Sequence, residues 1–223
     1  MIENFLPYWF KKDKEINEPI VEEIVTKSYP HYVFIHGANQ SALCWNYIIT
    51  KLELTPDDYT ALEYSSVSKF NDNLKRLSSE LAAIDGDVFI VAHSLGGIYA
   101  VHLYEHHPEK IIGAITISTP YGGSKTADIV KYMVPSYSLF REIGPKSLPI
   151  ASAHIVDINI PWTQLVSTQG AVPWHGHHND GVVTFGSMRF RTDIDYVDLP
   201  VNHYEILAYE KTVELIKKLS EIT

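Results

Sequence analysis

Along the chain, short unbroken apolar runs alternate with stretches whose apolar residues recur every three or four positions. Tyr32–Ile35 and Val88–Ala92 are runs of the first kind, and Ile111–Ile117 is one broken only by Thr116; such runs read as strands buried on both faces. Tyr59–Glu63, His154–Ile158 and Tyr196–Leu199 are weaker strand candidates. Between them, Leu74, Leu77, Leu81 and Ile84 fall on one face of a helix over Asp72–Ile84, which Asp85-Gly86 stops. A second helix is expected over Gly96–His107, closed by Pro108, and a last one over Glu205–Ser220 with Ile206, Tyr209, Val213, Ile216 and Leu219 on one face. Alternation of this kind predicts an α/β fold: a mostly parallel sheet of about six strands with helices on both faces. In such sheets ligands bind beyond the carboxyl ends of the strands. The residues just after each strand are therefore where chemistry is expected.

The 223 residues suit one domain, spanning 1–223, with no repeat or low-complexity tract to divide it. A net charge of −9 argues against a nucleic-acid partner and against docking on anionic lipid, both of which need a basic surface. It leaves open an uncharged ester or a zwitterionic lipid. Cys44 is the single cysteine, so an internal disulfide is excluded. A free cysteine is more often a packing residue than a nucleophile. No stretch approaches the roughly 18 apolar residues of a membrane span. In Met1–Lys14 the charges follow the aromatic cluster instead of preceding it, the reverse of a secretory leader, so a cytoplasmic location is expected. Phe5, Leu6, Tyr8, Trp9 and Phe10 are expected to pack against the domain, insertion into a membrane interface being the other reading.

The clearest chemical signal follows the Val88–Ala92 run. Ala92-His93-Ser94-Leu95-Gly96-Gly97 leads straight into a helix, which is the strand–turn–helix setting of a nucleophile elbow in its A-x-S-x-G form. The elbow holds its serine in a strained conformation and leaves room only for small side chains such as Ala92 and Gly96 two positions away. Acyl transfer at Ser94 would build negative charge on a carbonyl oxygen, so two N–H groups should already point there. Leu95, next after the serine, and Ala38, in the His36-Gly37-Ala38-Asn39 loop after the first strand, are the candidate donors. His36 reads as a histidine that shapes that turn.

Val33-Phe34-Ile35-His36-Gly37-Ala38 with Trp45 downstream, the Ser94 elbow, and Tyr104-Glu105-His106-His107-Pro108-Glu109-Lys110-Ile111 together resemble the α/β-hydrolase superfamily. Ile117-Ser118-Thr119-Pro120-Tyr121-Gly122-Gly123-Ser124 is similar to the T-P-H-x-G-S stretch of bacterial lipases, with Tyr121 where that group usually has His. The resemblance covers roughly residues 31–124 and 178–210. It implies a serine hydrolase of lipase or esterase type with no cofactor, whose triad follows in the order Ser, Asp/Glu, His. His203, just after the last strand, is then the base. Asn179-Asp180-Gly181-Val182-Val183 resembles the segment that carries the acid, which points to Asp180, with Asp157 as the rival. Acyltransferases, thioesterases and amidases use the same triad. A non-catalytic binding protein on this fold would be expected to have lost part of it.

Two segments remain. His175-Gly176-His177-His178-Asn179-Asp180 could suggest metal ligands, but Asn179 stands where a metallo-hydrolase run would want Asp and thiolates are absent. No metal is expected, and a solvated or pocket-rim loop is the default. Thr119–Ser152 leaves from strand carboxyl ends and is expected to roof the site as a lid or cap insertion, mobile or fixed. Tyr121, together with Trp162 and Trp174 in the second long loop Pro161–Asp180, is expected to contact an apolar acyl group.

Overall fold

The computed structural model describes residues 29–123, 144–170 and 178–221. The N-terminal aromatic cluster, most of the Thr119–Ser152 insertion, Trp174, His175 and His177 lie outside the described residues. Six strands form one sheet: β1 (His31–Ile35), β2 (Tyr59–Leu62), β3 (Val88–His93), β4 (Ile111–Ile117), β5 (Trp162–Ser167) and β6 (Asp195–Leu199). Their order is β2-β1-β3-β4-β5-β6, and every neighbouring pair is parallel. In sequence order the described strands run from β1 outward to β2 at one edge, then cross back past β1 to β3 and wind on to β6 at the other edge. All strand carboxyl ends lie along one edge, which is where a reversal of this kind opens a crevice.

The strict two-residue alternation of strand side chains sorts the core into two layers. Val33, Ile35, Val88, Ile90 and Ala92 point to one face, where α2 (Phe70–Ala82) and α3 (Leu95–His106) lie. Tyr32, Phe34, Phe89, Val91, Ile115 and Ile117 point to the other, against α1 (Asn46–Lys51) and α6 (Glu210–Ser220). Helix α2 buries Leu74, Leu77 and Leu81 as its spacing predicts, and α6 buries Val213 and Ile216. Each such side chain taken out of water contributes roughly 1.5–3 kcal/mol. Helix α3 is central and is buried along most of its length, from Leu95 to Tyr104.

The structure corrects three sequence expectations. His154–Ile158 is not a strand: α4 (Leu148–His154) ends there, and Val156 and Ile158 reach the core from an irregular connection. The fifth strand is instead Trp162–Ser167, within the segment expected to be the long loop Pro161–Asp180; Thr163, Gln164 and Ser167 interrupt its apolar pattern. All three are buried, and two make several hydrogen bonds: Gln164 Nε2 donates to Thr119 O and Met188 O, and Ser167 Oγ donates to Asp180. The final helix is broken at Tyr209, whose extended backbone separates a 3₁₀ turn over Glu205–Ala208 from α6.

Candidate active site

Ser94 sits between the end of β3 and the start of α3 with φ 51° and ψ −122°. For a residue with a Cβ this conformation costs on the order of 1–3 kcal/mol and persists only where the surroundings dictate it. They do so here: Ser94 N–H donates to Ile117 O at the end of β4 (2.7 Å), and Gly97 N–H donates to Ser94 O (3.0 Å). Gly96 is needed because a Cβ there would strike the carbonyl oxygens of Ile35 and His36 at the end of β1. The turn leaves Ser94 at the carboxyl edge of the sheet.

His203 reaches the same point from the far side of the sheet. It follows β6 in a turn that Asn202 Oδ1 organises by accepting from the N–H groups of Tyr204 and Glu205. His203 Nε2 lies 3.1 Å from Ser94 Oγ, and His203 Nδ1 lies 2.6 Å from Asp180 Oδ2. Asp180 is held from every side. Its Oδ1 accepts from Val182 N–H (2.9 Å) and Val183 N–H (2.7 Å), its main-chain oxygen accepts from His203 N–H (3.1 Å), and Gly181 turns the chain with φ 98°. Burial pushes the Asp180 carboxyl up, but the His203 hydrogen bond and charge, the Ser167 hydroxyl and Val183 N–H outweigh it and hold it below its ordinary value. An ionised carboxylate only accepts. Nδ1 therefore carries the ring proton, and the Nε2 lone pair faces the serine hydroxyl. This line of groups can draw the proton from Ser94 Oγ as the oxygen attacks an electrophile. Asp157, the rival acid, is exposed in the connection before β5.

Among the described residues, Ala38 N–H and Leu95 N–H, the two expected oxyanion donors, make no hydrogen bond, whereas their neighbours do: Gly37 N–H binds Gln40 Oε1 and Asn39 N–H binds Ser66 Oγ. His36 closes the turn below them, Nδ1–H donating to Gly37 O (2.7 Å) and Nε2 accepting from Tyr64 N–H (3.1 Å).

Sequence reasoning missed several supports of the site. The His93 ring lies between Gln40 Oε1 (2.8 Å from Nδ1) and the His203 carbonyl oxygen (3.0 Å from Nε2), joining the loop after β1 to the loop after β6. Burial, then the neighbouring His203, push its pKa down to about 3. Ser118 and Ser167 stand behind Asp180, and a Cβ at Gly170 would strike the Asp180 backbone. His93 ends β3 and Ser118 follows β4 directly, so the same strand-end filter that singled out Ser94 could have found them; Ser167 could not be found that way, because its strand reads as loop in the sequence.

The pocket expectations fare differently. Trp162 and Tyr121 lie in the core and not at a pocket wall: Trp162 Nε1–H donates to Tyr121 Oη (2.9 Å), which also pairs with Thr116 Oγ1 (2.8 Å). Trp162 opens β5, so the tryptophan is tied to the sheet. Cys44 is half-buried, and burial pushes its thiol up to about 12. His178 is exposed, and among the described residues no three His, Cys, Asp or Glu side chains gather as metal ligands. Among the same residues, no helix is long and apolar enough to cross a membrane.

Residues 32–203 match the alpha/beta hydrolase family. The chain is 33% identical over 101 residues to methyl jasmonate esterase 1 of Vitis vinifera, a match covering 40% of this chain and 38% of that protein. It is 24% identical over 209 residues to the probable esterase PIR7A of Oryza sativa subsp. indica, covering 85% of this chain and 76% of the rice protein. The chain spans about two fifths of the length of the first curated relatives it matches. Among solved structures, the mature form of the Bacillus licheniformis lipase BlEst2 superposes with a TM-score of 0.71 at 20% identity, over 86% of this chain and 93% of that one. That likeness is one of fold.

Proposed function

The chain belongs to the alpha/beta hydrolase family, and from that premise we propose that it is a serine carboxylester hydrolase of esterase or lipase type, cleaving an apolar acyl ester through an acyl-enzyme on Ser94. The observation that carries the reading is the hydrogen-bonded line Ser94–His203–Asp180, mounted on a strained turn at the carboxyl edge of the sheet. His203 takes the hydroxyl proton as Ser94 Oγ attacks the ester carbonyl, and Asp180 stabilises the imidazolium that forms. The unpaired N–H groups of Ala38 and Leu95 receive the negative charge on the carbonyl oxygen. His203 then protonates the leaving alcohol, and a water molecule, giving up its proton to the same nitrogen, hydrolyses the acyl-enzyme.

The similarity to methyl jasmonate esterase favours a narrower version, a methyl ester of an apolar acid. Acyltransfer, thioester and amide cleavage share the acyl-enzyme and differ only in the leaving group or acceptor. Two experiments test the reading. A fluorophosphonate probe should label the wild-type chain and not Ser94→Ala. A panel of p-nitrophenyl esters of graded acyl length, run beside methyl esters and thioesters, should show esters turned over fastest, and Ser94→Ala should lose about 10⁴-fold or more in turnover. A folded Ser94→Ala protein that keeps more than about a tenth of the activity would overturn it.

A further inference from the structure

Asp180 Oδ2 takes two hydrogen bonds, one from His203 Nδ1–H and one from Ser167 Oγ–H (2.5 Å). Ser167 is the last residue of β5. On the adjacent strand, Ser118 directly follows β4, and the two hydroxyl oxygens are 2.6 Å apart. Proton counting fixes the direction of this chain. The carboxylate can only accept, so the single Ser167 hydroxyl proton is committed to Asp180, and Ser118 must donate to Ser167.

Both serines are fully buried, and the Met188 sulfur lies 3.8 Å from Ser167 Oγ. A buried hydroxyl is costly unless it is paired, and alanine would fill nearly the same volume, so packing alone gives no reason for a serine at either position. Ser118 also holds φ 53°, a left-handed backbone unusual for a residue with a Cβ, fixed by its N–H bond to Leu165 O (2.8 Å). Neither serine is hydrogen-bonded to Ser94 or His203. What the pair contacts is the acid.

We propose that Ser167, backed by Ser118, is a positioning residue for Asp180: its hydroxyl pins Oδ2 in line with His203 Nδ1 and, by sharing that oxygen's lone pairs, keeps the His203–Asp180 proton on the imidazole. The proposal rests on the reading of Ser94, His203 and Asp180 as a triad. Hydroxyls donating in series polarise one another, which strengthens the last bond to the carboxylate. The relay transfers no group and consumes no co-reactant; it acts on where Asp180 sits and how basic it is.

The test uses the full chain with Ser167→Ala, Ser167→Thr and Ser118→Ala, assayed on one p-nitrophenyl ester and by proton NMR of the His203 Nδ1–H resonance. In Ser167→Ala, kcat should fall on the order of tenfold to a hundredfold, with KM within about twofold, and the resonance should be displaced and exchange faster with water. Ser118→Ala should move both readouts in the same direction by less, and Ser167→Thr, which keeps the hydroxyl, should restore them. A folded Ser167→Ala protein with wild-type kcat and an unmoved resonance, or with a change in thermal stability alone, overturns the proposal. If Ser167→Ala does not fold, Ser118→Ala decides, since it leaves the Ser167–Asp180 bond in place: unchanged kcat and resonance overturn the proposal, and a shift in both sustains it. Failure of the underlying triad would look different, because Ser94→Ala would then stay active whatever Ser167 did.

Discussion

Replacing Ser94 by alanine and by glycine separates its hydroxyl from its backbone strain. Either change removes Oγ and its 3.1 Å contact with His203 Nε2, so that loss cancels when the two variants are compared. Alanine keeps a Cβ at φ 51° and ψ −122° and with it a strain on the order of 1–3 kcal/mol. Glycine is released from it, but it gives the unfolded chain more freedom, which costs about 0.5–1 kcal/mol relative to alanine. The balance favours glycine by about 1 kcal/mol, within a span from roughly zero to 2.5. At ordinary positions the order is reversed. The turn cannot relax to spare alanine, because Ser94 N–H is tied to Ile117 O and Gly96 is wedged against the Ile35 and His36 carbonyls. Urea unfolding of the two proteins gives the comparison, and in a chain of this length 1 kcal/mol corresponds to about 2–4 °C in Tm. Neither variant should react with a fluorophosphonate. An alanine variant clearly more stable than the glycine variant would refute the strain, and with it the physical account of the elbow.

Asp180→Asn should reduce turnover by about 10⁴-fold, because the amide favours the wrong imidazole tautomer, while exposed Asp157→Asn should stay within a few-fold of wild type; comparable losses at both positions would remove Asp180 as the acid. His93 gives a pH signature in stability. Folding lowers its pKa from 6.5 to about 3, so as pH falls below 6.5 the unfolded ring takes a proton that the folded ring refuses. Its contribution is therefore intact above pH 6.5 and is lost progressively towards pH 3, by about 2 kcal/mol at pH 5. His93→Gln should flatten the fall in unfolding free energy between pH 6.5 and 5 even if it lowers stability throughout, and an unchanged slope would count against the buried neutral ring. The lowered pKa of His36 acts in the same direction but is common to both proteins. Gly96→Ala should destabilise by about 1–3 kcal/mol or more through overpacking against backbone. Gly186→Ala, in the short helix α5 (Phe185–Met188) with nothing within 4 Å of the added Cβ, should be neutral or slightly stabilising. Thermal denaturation of the pair separates close approach from simple helix preference.

Several parts of this molecule are legible in one dimension because their cause is local. β1, β3 and β4 are largely apolar on both faces and are flanked by helices, so their burial shows as nearly unbroken apolar runs. Helix α2 shows as a three-and-four spacing. Ser94 is marked by small residues that a tight strand–helix turn demands, and His203 by its place just past the last strand. The sequence alone therefore determined the parallel sheet and its working edge, and it singled out Ser94 and His203 by position and Asp180 by resemblance.

Tertiary structure decided what depends on partners far along the chain. β5 carries Thr163, Gln164 and Ser167, which in sequence look like loop; their burial makes sense only beside Thr119, 45 residues from Gln164, and Asp180, 13 residues from Ser167. Asp180 is already expected from the resemblance, with Asp157 as the rival, but only the fold shows that its carboxylate meets the imidazole, and Trp162 and Tyr121 turned from expected pocket walls into core once their hydrogen bond to each other was placed. The physical reason is common to all of them. A hydrophobic pattern reports whether a position faces water or core, but a polar side chain is equally at home on the surface or paired in the interior, and only the fold shows whether its partner is there.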